Sequence, residues 1–343
     1  QAFDGRETAP AAATENYLRW VSDTDRTEPT PDARSSGRSI GVPGIVRMLA
    51  DVHTEHGKTP WRDLFAPAVT LADDGFEISA RLATAIADAA PKLQLDEDAA
   101  AYFLDADGSP KSTASKLTNP AYAKTLGAIA SEPDAFYTGD IARDIVAAAA
   151  DPSGGRTPSL MTVEDLAGYT VKDREPLCAP YRGKELCGMP PPSSGGIAIA
   201  ATLGILERFP MAQYKPTDID LNGGRPAVMG VHLISEAERL AYADRDRYVA
   251  DTDFVPLPGG SPQTLLGSDY LAGRAALISP DRTMGTAKPG EFGTPSAPVA
   301  PLPEHGTSHI SVVDQQGNAA ALTTTIESAF GSFHMVDGFL LNN

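Results

Sequence analysis

Long apolar runs are missing from this 343-residue chain: none approaches the roughly 18 residues of a membrane-spanning helix, so no span is expected in it. Positive charge is scarce, with 28 Lys and Arg against 45 Asp and Glu and a formal net charge of -17. Nucleic-acid binders need basic patches to neutralise phosphates, so that class of partner is not expected. No repeat period appears. The G-x-S-x-G elbow of a serine hydrolase is absent; Ser193-Ser194-Gly195-Gly196 reads as a turn leading into a helix. His232 and Glu236 stand four apart on one predicted helix, but no third ligand follows at usable spacing, so neither a metal site nor a cofactor is expected. Cysteine is limited to two residues.

What is present suffices for a core: 42% of the residues are apolar, and the length allows one large or two ordinary domains. Helices are predicted over 43–56, 60–74, 120–131, 140–150, 195–208 and 226–249. Thr59 before Pro60, Asn119 before Pro120, and Thr162 with Asp165 mark helix starts.

The C-terminal region reads differently. Residues 307–314 alternate as a strand, Gln315-Gln316-Gly317 form a loop with glycine where φ must be positive, and 318–326 return. If Asp314 faces Asn318, then Val313 meets Ala319, Ser311 meets Ala321 and Thr307 meets Thr325. Alternation puts Ile310, Val312, Ala320, Leu322 and Ile326 on one face and Thr307, His309, Ser311, Thr323, Thr325 and Glu327 on the other. A half-buried strand with a solvated side accounts for this pattern by itself. Its setting adds more. Residues 278–306 carry six prolines and no apolar periodicity, which predicts a mobile tether ending at a Gly306-Thr307 junction. Cleavage there would free the threonine α-amine, whose ordinary pKa of about 7.7–8.0 suits it to activate its own hydroxyl.

Cys178 and Cys187 flank Arg182-Gly183, and a two-residue turn there sets them opposite each other at a non-hydrogen-bonded pair, within disulfide reach. A cross-strand disulfide implies an oxidising compartment. Two buried free thiols are the other reading.

Beyond the Thr307 strand, the chain carries Asp4-Gly5-Arg6-Glu7-Thr8-Ala9-Pro10, Gly41-Val42-Pro43-Gly44, Gly57-Lys58-Thr59-Pro60-Trp61, Met189-Pro190-Pro191-Pro192-Ser193-Ser194-Gly195-Gly196 and Gly338-Phe339-Leu340-Leu341-Asn342-Asn343. In this order they resemble the gamma-glutamyltranspeptidases, self-processing N-terminal-nucleophile hydrolases. The resemblance implies an α+β fold, a four-layer αββα sandwich. It also implies residues 1–306 as the large-subunit region and 307–343 as the start of the small catalytic subunit, both from one precursor. Thr307 matches the nucleophile, Gly306-Thr307 the autocleavage point, Thr325 the threonine that hydrogen-bonds the nucleophile, and Arg6 the arginine on the substrate α-carboxylate. The implied substrate is glutathione or another gamma-glutamyl amide, the acceptor water, an amino acid or a peptide, and the location periplasmic or extracellular.

Where the family commonly has asparagine, this chain has Glu327, whose carboxylate could take the substrate ammonium. A beta-lactam or other amide acylase of the same fold is therefore the alternative. The family's leading strands and its oxyanion glycines lie outside 1–343, so a fragment is expected, and a noncatalytic relative acting as a binding or scaffold protein is a third reading. His309 is not expected to be the general base.

Overall fold

Caps and prolines decide where the helices begin. In the computed structural model, which describes residues 1–221, 223–293 and 306–343, Asn119 accepts from the Tyr122 amide at 2.9 Å to start Pro120–Ser131. Thr162 and Asp165 close a capping box on Val163–Ala167. The predicted helix over 60–74 divides into a 3₁₀ turn, Trp61–Leu64, and an α-helix, Ala66–Asp74, because Pro67 opens a fresh first turn and has no amide to continue the earlier one. Gly75, at φ 75°, ends it. The other predicted helices appear as Ile45–His56, Asp140–Ala149, Gly195–Leu206 and Val228–Tyr248. Two more, Ala80–Leu93 and Glu97–Phe103, are capped by Ser79 and Asp96.

The chain folds as two compact units. One takes Phe3–Lys172 with the C-terminal residues through Asn343; the other takes Gln1–Ala2 with the residues from Asp173 onward. In the first unit Ile40, Val42, Tyr137, Ile145, Leu166 and Leu341 share a core. A second cluster packs Ile78, Ile86, Leu93 and Phe103 against Phe330 and Met335. In the other unit Ile205, Leu233, Leu240 and Leu271 are packed together.

Among the described residues every sheet is two-stranded. Ser308–Val313 pairs antiparallel with Ala319–Thr324, setting Val313 opposite Ala319 and Ser311 opposite Ala321, the register read from the loop. Asp314 fixes that loop by accepting from the amides of Gln316 and Asn318, and Gly317 sits at φ 85°. The apolar face is less covered than a half-buried strand would be, with Ile310 52% and Val312 56% exposed. Leu177–Tyr181 pairs with Lys184–Gly188 through Arg182 and Gly183, both at positive φ as a type I′ turn requires. Cys178 and Cys187 face each other across it and are joined by a disulfide, with Cα atoms 4.1 Å apart.

The predicted tether falls partly outside the described residues. Its earlier part is fastened rather than free: buried Glu236 accepts from the Thr283 hydroxyl at 2.6 Å and the Met284 amide at 2.7 Å, and Asp244 accepts from the Gly290 amide at 2.8 Å. Proline content alone does not show this, because the anchors lie on a helix 46 to 48 residues earlier.

Candidate active site

The Gly306-Thr307 peptide opens the C-terminal hairpin. Continuing the register one step past the Ser308–Thr324 pair brings Thr325 level with Thr307. The Thr325 hydroxyl donates to the Gly306 carbonyl oxygen at 2.5 Å, and the Glu327 amide donates to Thr325 Oγ1 at 2.7 Å. A hydroxyl that accepts one bond while donating another is polarised toward its acceptor. The carbonyl of the Gly306-Thr307 bond thus carries a directed donor before any bond is broken.

His309 lies on the same face, but its nitrogens meet the Thr323 hydroxyl at 2.8 Å and the Ser311 hydroxyl at 3.1 Å. Both ring positions serve the hairpin itself, which suits a structural role.

Glu327 is held from several sides. Its Oε1 accepts from Arg34 Nη2 at 3.1 Å and its Oε2 from the Ser328 hydroxyl at 2.6 Å. Its φ of 72° lies in the left-handed region, uncommon for a glutamate. Asn343 braces the next residue, accepting the Ser328 amide at 2.9 Å and giving its own amide to the Ile326 carbonyl at 3.2 Å. The sequence offered this carboxylate to a substrate ammonium; in the structure Arg34 and Ser328 already engage both oxygens. Nothing local in the sequence marks Arg34 as the partner, since 293 positions separate the two. The available signal was indirect: a carboxylate in place of an amide calls for a counter-charge nearby.

Arg6 is positioned through its backbone. Its amide donates to Asp4 Oδ1 at 3.0 Å, and its carbonyl accepts from the Tyr169 hydroxyl at 2.7 Å. Burial pushes the Tyr169 phenol well above its ordinary range, so it stays a donor. Gly44 makes room for that contact, because a Cβ there would fall 2.0 Å from the Tyr169 hydroxyl oxygen. The guanidinium is half exposed and meets Glu7 at 3.9 Å. Among the described residues no hydrogen bond or ion pair joins Arg6 to Thr307, Thr325 or Glu327.

The remaining candidates are occupied elsewhere. Ser194 accepts from Arg245 Nε at 3.0 Å. His232 Nε2 lies 2.7 Å from the Ser279 carbonyl, and Glu236 is taken by Thr283 and Met284, so this pair is not arranged as metal ligands. The close group formed by Cys178, Glu185 and Cys187 has both sulfurs in the disulfide.

Comparison with known proteins places this geometry in a context. The family model for gamma-glutamyltranspeptidase matches residues 1–343. The glutathione hydrolase proenzyme of Escherichia coli is 35% identical over 348 residues, covering 100% of this chain and 55% of that protein. The acylase ACY 1 proenzyme of a Pseudomonas species is 33% identical over 343 residues, covering 98% and 56%. Among solved structures, Helicobacter pylori gamma-glutamyltranspeptidase superposes with a TM-score of 0.67 at 30% identity, over 82% of this chain and 76% of that one. The chain thus spans about half the length of these curated relatives. Its fold is α+β, that of the N-terminal-nucleophile hydrolases.

Proposed function

The chain belongs to the gamma-glutamyltranspeptidase family, and from that premise we propose that it carries the nucleophile of a gamma-glutamyl transferase or hydrolase that matures by cutting itself between Gly306 and Thr307. The observation that carries the reading is the Thr325 hydroxyl on the Gly306 carbonyl oxygen. After the cut, residues 1–306 and 307–343 belong to separate large and small subunits. The new Thr307 α-amine takes the hydroxyl proton, and the oxygen attacks the γ-carbonyl carbon of glutathione or another gamma-glutamyl amide. The amine released carries the proton away, and a γ-glutamyl ester remains on Thr307. Water, an amino acid or a peptide then resolves it. Arg6 grips the substrate α-carboxylate, for which a half-exposed guanidinium with one distant partner is free to reorient. The disulfide supports a periplasmic or extracellular location.

A second reading, acylase action on amides without an α-ammonium, is favoured by one observation: Arg34 already compensates Glu327, the residue that would greet such a charge. The test begins with mass and N-terminal sequencing of the purified protein, which should reveal a fragment starting Thr-Ser-His-Ile. Thr307→Ala should stay uncut and inactive, and Thr307→Ser should keep part of both properties. Hydrolysis by a chain that remains intact would refute the mechanism. A wild type with higher kcat/KM for glutaryl than for gamma-glutamyl amides would replace the transferase with the acylase.

A further inference from the structure

We propose that Arg34 is a positioning residue for the self-cleavage step, acting through Glu327 on the Thr325 hydroxyl that addresses the Gly306 carbonyl. The inference rests on the cleavage reading above.

In that step the Thr307 hydroxyl oxygen bonds to the Gly306 carbonyl carbon, the bond from that carbon to the Thr307 nitrogen breaks, and the hydroxyl proton ends on that nitrogen. An ester results. Water then adds to its carbonyl, releasing the Gly306 carboxyl group and restoring the Thr307 hydroxyl. Negative charge gathers on the Gly306 oxygen while the tetrahedral centre exists, and a donor already aimed at that oxygen lowers the barrier. The structure supplies one at 2.5 Å from Thr325.

Thr325 is aimed by its own partner. Its Oγ1 accepts the Glu327 amide at 2.7 Å, leaving its proton for Gly306. That amide is brought to the hydroxyl by the backbone of Thr325 and Ile326, and Glu327 itself then turns the chain at φ 72°. A non-glycine residue persists there only when its surroundings over-determine it. Here the side chain is clamped, by Arg34 at 3.1 Å and by Ser328 at 2.6 Å. Ser328 is local to the turn, whereas Arg34 comes from a distant loop that is itself secured. The Arg34 carbonyl accepts the Ser39 hydroxyl at 2.8 Å. Asp32, two residues earlier, accepts from Lys92 Nζ at 2.9 Å and from the Ser35 amide at 2.9 Å. Arg34 is therefore the anchor of the Glu327 side chain, beside the hold that Asn343 keeps on the backbone of Ile326 and Ser328.

The test measures the rate at which the full-length protein is converted to its two fragments, by intact mass after synthesis at fixed temperature, for wild type, Arg34→Ala, Arg34→Lys, Glu327→Gly and the Arg34→Ala, Glu327→Gly double variant. Loss of one oxyanion donor costs about 10²–10³-fold, so loosening it through Arg34→Ala should slow cleavage roughly 10-fold or more. Arg34→Lys, which keeps the charge, should restore a large part of the rate. Glycine adopts positive φ without strain, so in the Glu327→Gly background removing Arg34 should change the rate little. That non-additivity separates positioning from loss of fold, and unfolding midpoints of all five proteins check the fold directly. Cleavage of Arg34→Ala at the wild-type rate, or an equal slowing in both backgrounds, overturns the inference while leaving the cut itself intact. A wild type that never cleaves at Gly306-Thr307 overturns the cleavage reading and this inference together.

Discussion

His334 is fully buried, and its Nδ1 points at the Ser332 carbonyl at 3.0 Å, which makes that nitrogen the protonated one. Its Nε2 is buried and has no hydrogen-bond partner among the described residues. Burial, and next the Arg156 guanidinium, bring this imidazole down to about 4, against the opposing pull of the Ser332 carbonyl, Asp96 and Asp151. Between the ordinary 6.5 and about 4 the unfolded chain takes up a proton that the folded chain refuses. Stability therefore declines as pH falls through that window, by roughly 3 kcal/mol at most, and is retained above it. Urea unfolding at pH 7.0 and 5.0 should show the decline, and His334→Asn, which keeps a donor near the Nδ1 position, should flatten it; an unchanged slope in the variant would assign the decline to other groups. At this scale the sequence is readable where a side chain's role follows from local alternation. Thr307, Thr325 and His309 could be put on one face that way. Arg34, the Glu327 clamp and the buried state of His334 could not, because each depends on a partner or a covering segment far along the chain.

Elements were legible in proportion to their punctuation. Asn119-Pro120 and Thr162 with Asp165 announce their helices, whereas Ala80–Leu93 is not among the helices the sequence predicts, although Leu82, Ile86, Ala90 and Leu93 line its inner side. Pro91 inside it and the many alanines blur the apolar period, and the Ser79 cap was the signal that remained. The cysteine hairpin was fully local: Arg182-Gly183 dictates the turn, the turn dictates the register, and the register joins Cys178 to Cys187. With a sequence separation of nine between the cysteines, loop closure in the unfolded chain makes this link worth roughly 2–3 kcal/mol. The Cys178→Ser, Cys187→Ser double variant should lose about that much in denaturant unfolding and should still cleave at Gly306, since the described partners of Thr325 and Glu327 are Gly306, Arg34 and Ser328 and none is a hairpin residue. Free thiols in wild-type protein recovered from an oxidising compartment would remove both the stabilisation and the argument for export.

On the scale of the whole molecule, the proposed cut and the folded units divide the chain differently. The unit that begins at Phe3 also contains the residues that follow Thr307, and these are inserted into it. Leu341 and Val336 lie in one of its cores, Phe330 and Met335 in the other. Asn342 pairs with both backbone groups of Gly41, at 2.8 and 3.1 Å, and Asn119 and Thr125 donate to the Gly338 and Asp337 carbonyls at 2.8 Å each. Neither a sequence boundary at a Gly-Thr junction nor any local pattern reveals this interleaving, because it arises from packing between segments some 200 to 300 residues apart. Cutting one peptide bond removes none of these contacts. The two fragments should therefore co-elute in size-exclusion chromatography and separate only in denaturant. Replacing Leu341, which is 1% exposed, by alanine should cost about 2–5 kcal/mol. Some of that loss is felt within the unit and some as weaker retention of the fragment, so the variant should shed residues 307–343 at lower urea than wild type. Dissociation of the wild-type fragments in plain buffer after cleavage would contradict the interleaved packing, and equal retention in the variant would show that Leu341 is not among its anchors.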